Sequence, residues 1–197
     1  MHKTSKKLYL IIKAIIDFVM AVILLIILGI PMLLIALMIR LDSRGPVIYR
    51  QLRVGVNEKP FTIYKFRTMK IDAPVLPTEE IQKLEIDPYT KLGPILRKGS
   101  FDELPQFFNV IKGEMSFVGP RPALPTQTDV NDLRKQCDVE WLKPGITGWA
   151  QINGRDDISV ETKVRLDAEY AKKVSFLFDF IIVIRTFTTI FTAKGNK

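Results

Sequence analysis

Phe18 to Ile39 reads FVMAVILLIILGIPMLLIALMI, 22 residues without a charge. As a helix rising 1.5 Å per residue it is about 33 Å long, enough to cross the hydrocarbon core of a bilayer. The flanks give neither end preference. Lys3, Lys6, Lys7 and Lys13 precede the run, and Arg40, Arg44, Arg50 and Arg53 follow it, so the positive-inside rule sets no orientation. Pro31 sits mid-run, two residues after Gly29, where it removes a backbone hydrogen bond and bends a helix. Two readings stand on these residues. One is a spanning helix bent at its proline. The other is a re-entrant helix that breaks near Gly29 and Pro31 and leaves on the face it entered, with both basic flanks against anionic headgroups. The run is too long for a signal peptide, and no small-residue cleavage site follows it.

A second apolar stretch, Phe176 to Thr192, is interrupted by Asp179 and Arg185 and should not span. Phe180, Ile184, Phe187 and Phe191 fall on one helical stripe, as in a core-facing helix or one lying in a membrane interface. The remainder bounds the function. A chain of 197 residues is one domain with an appended membrane element. A net charge of +8 and a pI near 9.6 favour acidic partners: phosphates, nucleotides, nucleic acid or an anionic membrane. One cysteine, Cys137, excludes a disulfide framework. The one histidine, His2, lies in the N-terminal tail, which rules out Ser-His and Cys-His catalysis. Neither GxxxxGK[ST] nor GxGxxG occurs. An enzyme built from this chain therefore relies on a carboxylate, a lysine, a tyrosine or a metal-bound group.

Between the apolar segments, Val47 to Gly55 and Phe61 to Met69 read as a hairpin carrying Arg50, Arg53, Lys65 and Arg67. Prolines at 74, 77, 88 and 94 mark an irregular excursion, with a short helix expected around Glu79 to Leu84. Pro105 to Ile111 and Ser159 to Lys173 read as helices. Pro144 to Arg155 is a glycine-rich loop with polar ends.

The densest chemistry is SFDELPQFFNVIKGEMSFVGPRP, residues 100–122. Asp102 and Glu103 stand before a proline and an apolar helical run, and Arg121 is held between Pro120 and Pro122. Carboxylates beside a stiffened arginine suit chemistry on a phosphate. The plainer reading is a capping box, Ser100-x-x-Glu103, at a helix start. Against it, Pro105 then falls where its missing N–H should bond back to Phe101. A start near Leu104, with Pro105 in the first helical position, is easier. Attack by a carboxylate on a diphosphate also needs a metal to offset charge repulsion.

On these residues the chain resembles the bacterial sugar transferases, the monotopic phosphoglycosyl transferases. The resemblance runs through LDSRGPVIYRQLRVG (41–55), IYKFRTMK (63–70), residues 100–122 and KPGITGWAQINGR (143–155). It implies an α+β, mostly helical fold: a kinked re-entrant membrane helix at 1–40, and a catalytic domain at 41–197 ending in an interfacial helix. It places the protein on the cytoplasmic face of a bacterial inner membrane. The implied reaction is Mg²⁺-dependent transfer of a sugar 1-phosphate from a UDP-sugar to a polyprenyl phosphate such as undecaprenyl phosphate, releasing UMP. Asp102 maps to the nucleophile and a metal ligand, and Glu103 to its assistant and proton handler. Arg97 and Arg121 map to phosphate-binding positions, with Lys65 and Arg67 as weaker candidates. Gln151, Asn153, Arg155 and Asp167 are candidates for the nucleotide and sugar, and Asp167 could instead hold the metal. Two departures stand out: Ile30-Pro31 replaces the usual Ser-Pro, and Asp42-Ser43-Arg44-Gly45-Pro46 replaces DSPGP. Membrane lipids are expected partners and nucleic acid is not. The rival readings are a non-catalytic anchored module that binds anionic lipid or nucleic acid, and a phosphohydrolase that uses Asp102 with water as acceptor.

Overall fold

The computed structural model describes residues 3–73, 87–154 and 158–191. The helix expected at Glu79 to Leu84, Arg155 and the chain end from Thr192 lie outside them. The uncharged run belongs to a longer element, α1 (Lys3–Asp42), with Pro31 inside it. Pro31 has no N–H to give the Ile27 carbonyl, yet no non-helical residue separates the two halves of the helix.

One stripe of α1 faces the rest of the protein along its length. Tyr9, Asp17, Ala21 and Ile39 are buried, and Leu24, Leu28, Met32 and Ile35 are half-buried between them. Most of these steps are 3 or 4 residues, the spacing of a single helix face. From Tyr9 to Ile39 the stripe extends about 45 Å. Away from this stripe the uncharged run is largely bare: Ile26, Ile30 and Leu33 are each more than 70 % exposed, as is Leu41 just beyond it.

Next come β1 (Ile48–Val54) and β2 (Pro60–Phe66), an antiparallel hairpin in register from Ile48↔Phe66 to Val54↔Pro60. Its turn uses left-handed Asn57 and Glu58, at φ 50° and 61°. The helix α2 (Gly93–Lys98) leads into a 3₁₀ turn (Phe101–Gln106) and α3 (Phe107–Ile111). A short parallel pair joins β3 (Ser116–Val118) to β4 (Gly145–Thr147), with α4 (Thr128–Gln136) in the crossover. The chain continues through α5 (Trp149–Ile152), α6 (Val160–Lys173) and α7 (Phe176–Phe191). α6 starts where its sequence says it should, with Ser159 accepting a bond from the Thr162 N–H.

Three apolar clusters hold these elements on α1, and α1 gives each one buried residue. Tyr9 joins Val118, Val139, Tyr170, Val174 and Ile182. Ala21 joins Phe61, Ile63, Phe107, Val110 and Met115. Ile39 joins Phe66 and Leu96. The stripe foreseen on α7 faces outward rather than into the core, since Phe180 is 62 % and Phe187 56 % exposed. It is Ile182 and Asp179 that turn inward.

Candidate active site

Pro105 decides the local geometry around the paired carboxylates. It cannot donate a helical bond, and the chain answers with a tight 3₁₀ turn that begins at Phe101, earlier than the expected start at Leu104. Ser100 precedes it in the left-handed region (φ 55°, ψ 21°), and its side chain makes no cap. The capping box is therefore not formed. The span keeps a backbone link, from the Glu103 N–H to the Ser100 carbonyl at 3.2 Å. A serine held left-handed beside a buried carboxylate is stored strain of about 1 kcal/mol or more.

The turn is pressed on β2 by Asn109, which is fully buried on α3. Its side-chain NH₂ donates to the Thr62 carbonyl and to Glu114, both at 2.7 Å, and its oxygen accepts from the Tyr64 N–H at 3.1 Å. This brings Lys65 Nζ to 2.6 Å from Glu103 Oε1. The same oxygen lies 3.4 Å from an Arg121 guanidinium nitrogen. Asp102 and Glu103 are both buried. Burial pushes the Asp102 carboxyl above its ordinary range. Lys65 opposes that shift, Glu103 adds to it, and Arg97 and Arg121 oppose it further. Burial likewise pulls the Lys65 ammonium down, against the attraction of Glu103. Among the described residues none hydrogen-bonds the Asp102 carboxylate, although cations surround it.

Arg121 is placed by two devices. The first is backbone-on-backbone contact between the GPRP and PGITGW blocks. Gly119 N–H donates to the Thr147 carbonyl and Gly145 N–H to the Pro120 carbonyl, each at 2.9 Å. A Cβ on Gly119, Gly145 or Gly148 would come within 2.2 Å of facing backbone. The second is Arg134, which donates to the Arg121 carbonyl at 2.9 Å and to Asp167 Oδ2 at 3.0 and 2.6 Å. A shallow, open cleft adjoins Arg121 and is lined also by Gly55, Pro122, Asn131, Arg134 and Glu140.

The candidate residues therefore divide. Asp102, Glu103, Lys65 and Arg121 come together, and Arg97 lies near enough to act on Asp102 while its guanidinium sits 5.2 Å from the Tyr89 ring centre. Arg67 is a strut. It donates to the Arg44 and Ser43 carbonyls and to Ser43 Oγ at 2.7 to 2.9 Å, which fastens the loop after α1. Asp167 is 1 % exposed and paired with Arg134, so it supports the Arg121 loop from behind. Gln151 has both amide atoms buried without a hydrogen-bond partner among the described residues, and Asn153 is exposed and donates to the Trp149 carbonyl. Arg53 was not among the sequence candidates. It donates to the Pro122 carbonyl at 3.0 Å, and burial followed by the nearness of Arg121 pulls it down to about 10. Only its place in a basic hairpin hinted at this.

A buried carboxylate pair among converging cations is the equipment of an enzyme that acts on a phosphate. Residues 8–193 match the sequence model of the bacterial sugar transferases, and the chain belongs to that family. It is 41 % identical over 194 residues to the uncharacterized sugar transferase EpsL of Bacillus subtilis, covering 94 % of this chain and 90 % of that one. Identity is also 41 % to the UDP-glucose:undecaprenyl-phosphate glucose-1-phosphate transferase of Escherichia coli, over 92 % of this chain and 40 % of that protein. The UDP-N-acetylgalactosamine-undecaprenyl-phosphate N-acetylgalactosaminephosphotransferase of Aeromonas hydrophila is 39 % identical, over 84 % of this chain and 40 % of its own length. The chain thus spans less than half of these two relatives.

Proposed function

We propose that this protein transfers a sugar 1-phosphate from a UDP-sugar to undecaprenyl phosphate, releasing UMP, through a covalent intermediate on Asp102. The observation that carries the reading is the Asp102 carboxylate itself: buried, surrounded by Lys65, Arg97 and Arg121, and without a hydrogen bond among the described residues. A carboxylate meant for structure is bonded; this one keeps its lone pairs for a phosphorus.

In the first half-reaction an Asp102 oxygen attacks the β-phosphorus of the donor. The bond to the bridging oxygen breaks, and UMP leaves with the electron pair. In the second, an oxygen of the lipid phosphate attacks the same phosphorus and the carboxylate leaves, giving the lipid diphosphate sugar. Arg121 and Lys65 take up the equatorial oxygen charge. Glu103 holds both cations beside the phosphate and accepts the acceptor's proton. The nucleotide occupies the cleft beside Arg121. Covalent storage lets one interfacial site serve a water-soluble donor and a lipid acceptor in turn.

Mg²⁺ fits this donor set. Among the described residues no group of three or more acidic, histidine or cysteine side chains forms a protein cage. Mg²⁺ instead takes one or two carboxylates plus substrate phosphates, so Asp102 would hold it. Bound there, it would screen the negative diphosphate from the attacking carboxylate.

The support for a membrane-bound arrangement is α1. A body packed against α1 from Tyr9 to Ile39 leaves no free length to cross a bilayer alone. With its bare face and that of α7 in one leaflet, α1 would lie in the membrane interface without crossing it, its unbroken course through Pro31 set along the body, and the body would stay on the cytoplasmic side.

The test is UMP release from a panel of UDP-sugars with Mg²⁺ and undecaprenyl phosphate, wild type beside Asp102→Asn. We expect release with one donor, dependent on lipid and lost in the variant, together with a sugar-phosphate adduct on Asp102. Release independent of lipid would indicate a hydrolase. Turnover retained by Asp102→Asn would end the covalent reading.

A further inference from the structure

A second buried polar cluster lies where α1, β3, α6 and α7 meet, and the reaction above does not use it directly. Asp179 on α7 is saturated: Oδ2 accepts from Tyr9 Oη and Lys13 Nζ at 2.7 Å each, and Oδ1 accepts from Tyr170 Oη at 2.7 Å. Lys13 Nζ also lies 3.7 Å from Asp17, whose Oδ2 accepts from Ser116 Oγ at 2.7 Å. The two hydroxyls converge on one acceptor. Ser116 Oγ is 3.0 Å and Tyr170 Oη 3.3 Å from the Val118 carbonyl. Each has a single proton, held chiefly by its carboxylate and shared with that oxygen. Val118 precedes Gly119-Pro120-Arg121.

We propose that Asp17 and Asp179 are positioning residues of this transferase, fixing the Val118 carbonyl through Ser116 and Tyr170 and with it the loop that carries Arg121. The inference rests on the proposed function, in which Arg121 meets the phosphate. Stability alone does not call for such a cluster. Well-packed apolar residues in place of a buried ion pair are often neutral or better, and apolar side chains surround this one on α1. A hydrogen-bonded network does supply a single geometry where apolar packing admits several. Lys13 and Asp17 belong to the helix whose outer face is bare, so the Arg121 loop takes its position from the element that meets the lipid.

The test uses the full chain in vesicles with undecaprenyl phosphate, and UDP-glucose, UDP-galactose and UDP-N-acetylgalactosamine as donors. Ser116→Ala and Asp179→Asn are made alone and on Arg121→Lys. Each alone should lower kcat by about tenfold with KM for the donor nearly unchanged, and should add little on the Arg121→Lys background, because both act through one residue. Amide exchange at Gly119 and Gly145 should quicken by about tenfold in both. An unchanged kcat, losses that multiply, or unchanged exchange at those amides would each overturn the proposal. Should Asp179→Asn not fold, Ser116→Ala and Tyr170→Phe, which remove one hydroxyl each, decide it. A wild type silent toward all three donors would speak against the function, while exchange would still judge the cluster.

Discussion

Asp102 and Asp179 are both buried aspartates, and the protein treats them oppositely. Asp179 has three donors within 2.7 Å on its two oxygens. Asp102 has none among the described residues, though Lys65, Arg97 and Arg121 act on it through space. Burial with full bonding fixes a structure. Burial with charge but without bonding leaves a group costly to ionise and free to react. Strain follows the same division. Left-handed Ser100 lies two residues from Asp102, whereas no described residue within two positions of Asp179 along the chain has a positive φ.

The largest effect should come from breaking the open site. Asp102→Asn should abolish turnover and leave the melting temperature equal or higher, because it removes a buried carboxylate that no hydrogen bond compensates. A thermal melt beside the UMP assay checks both. Breaking a saturated pair should do the reverse. Arg134→Met leaves Asp167 charged and unpaired at 1 % exposure, at a cost of roughly 3–5 kcal/mol of stability, read by denaturant unfolding. Arg121→Ala falls between the two. It should lose about 10²–10³ in kcat, the cost of one lost oxyanion contact, with little change in unfolding.

The pH profile sharpens the contrast. Burial raises the Asp102 carboxyl, and the raised group must be ionised to attack. Activity is therefore complete above its folded value and is lost as pH falls through it, so the acid limb should lie above the ordinary aspartate value of about 3.9. Lys65→Met removes the first of the cations that lower that value and should move the limb to higher pH, as kcat/KM against pH would show.

How much of this was legible depended on the range of the interaction. The hairpin announces itself through β-branched and aromatic runs around a turn, and α6 through Ser159. The pairing of Asp102 with Glu103 is a local signal, as is the conflict between Pro105 and a capped helix. The partners were not local. Lys65 reaches Glu103 across 38 residues and Arg134 reaches Asp167 across 33. The KFR block sets its lysine in the site and its arginine in a strut, which alternation alone does not distinguish. β3 and β4 have three residues each, too short for a period of two to register. Asp179 reads as a flaw in an apolar helix until Tyr9, 170 residues away, is seen beside it.

The smallest effect tests whether the strain belongs to the site. Glycine adopts the left-handed region at no steric cost, while serine at φ 55° loses about 1–2 kcal/mol there. Part of that gain returns as the greater unfolded freedom of glycine, about 0.5–1 kcal/mol. Ser100→Gly should therefore stabilise the protein by a few tenths of a kcal/mol to about 1 kcal/mol, seen as a rise in melting temperature. If the serine were there only to begin the helix, kcat would not change. If the stiff left-handed residue aims Asp102, glycine should loosen the turn and lower kcat as stability rises. That pairing of opposite signs is what the contrast between a poised carboxylate and a fastened one requires. A variant that is both more stable and fully active would place the strain outside the chemistry.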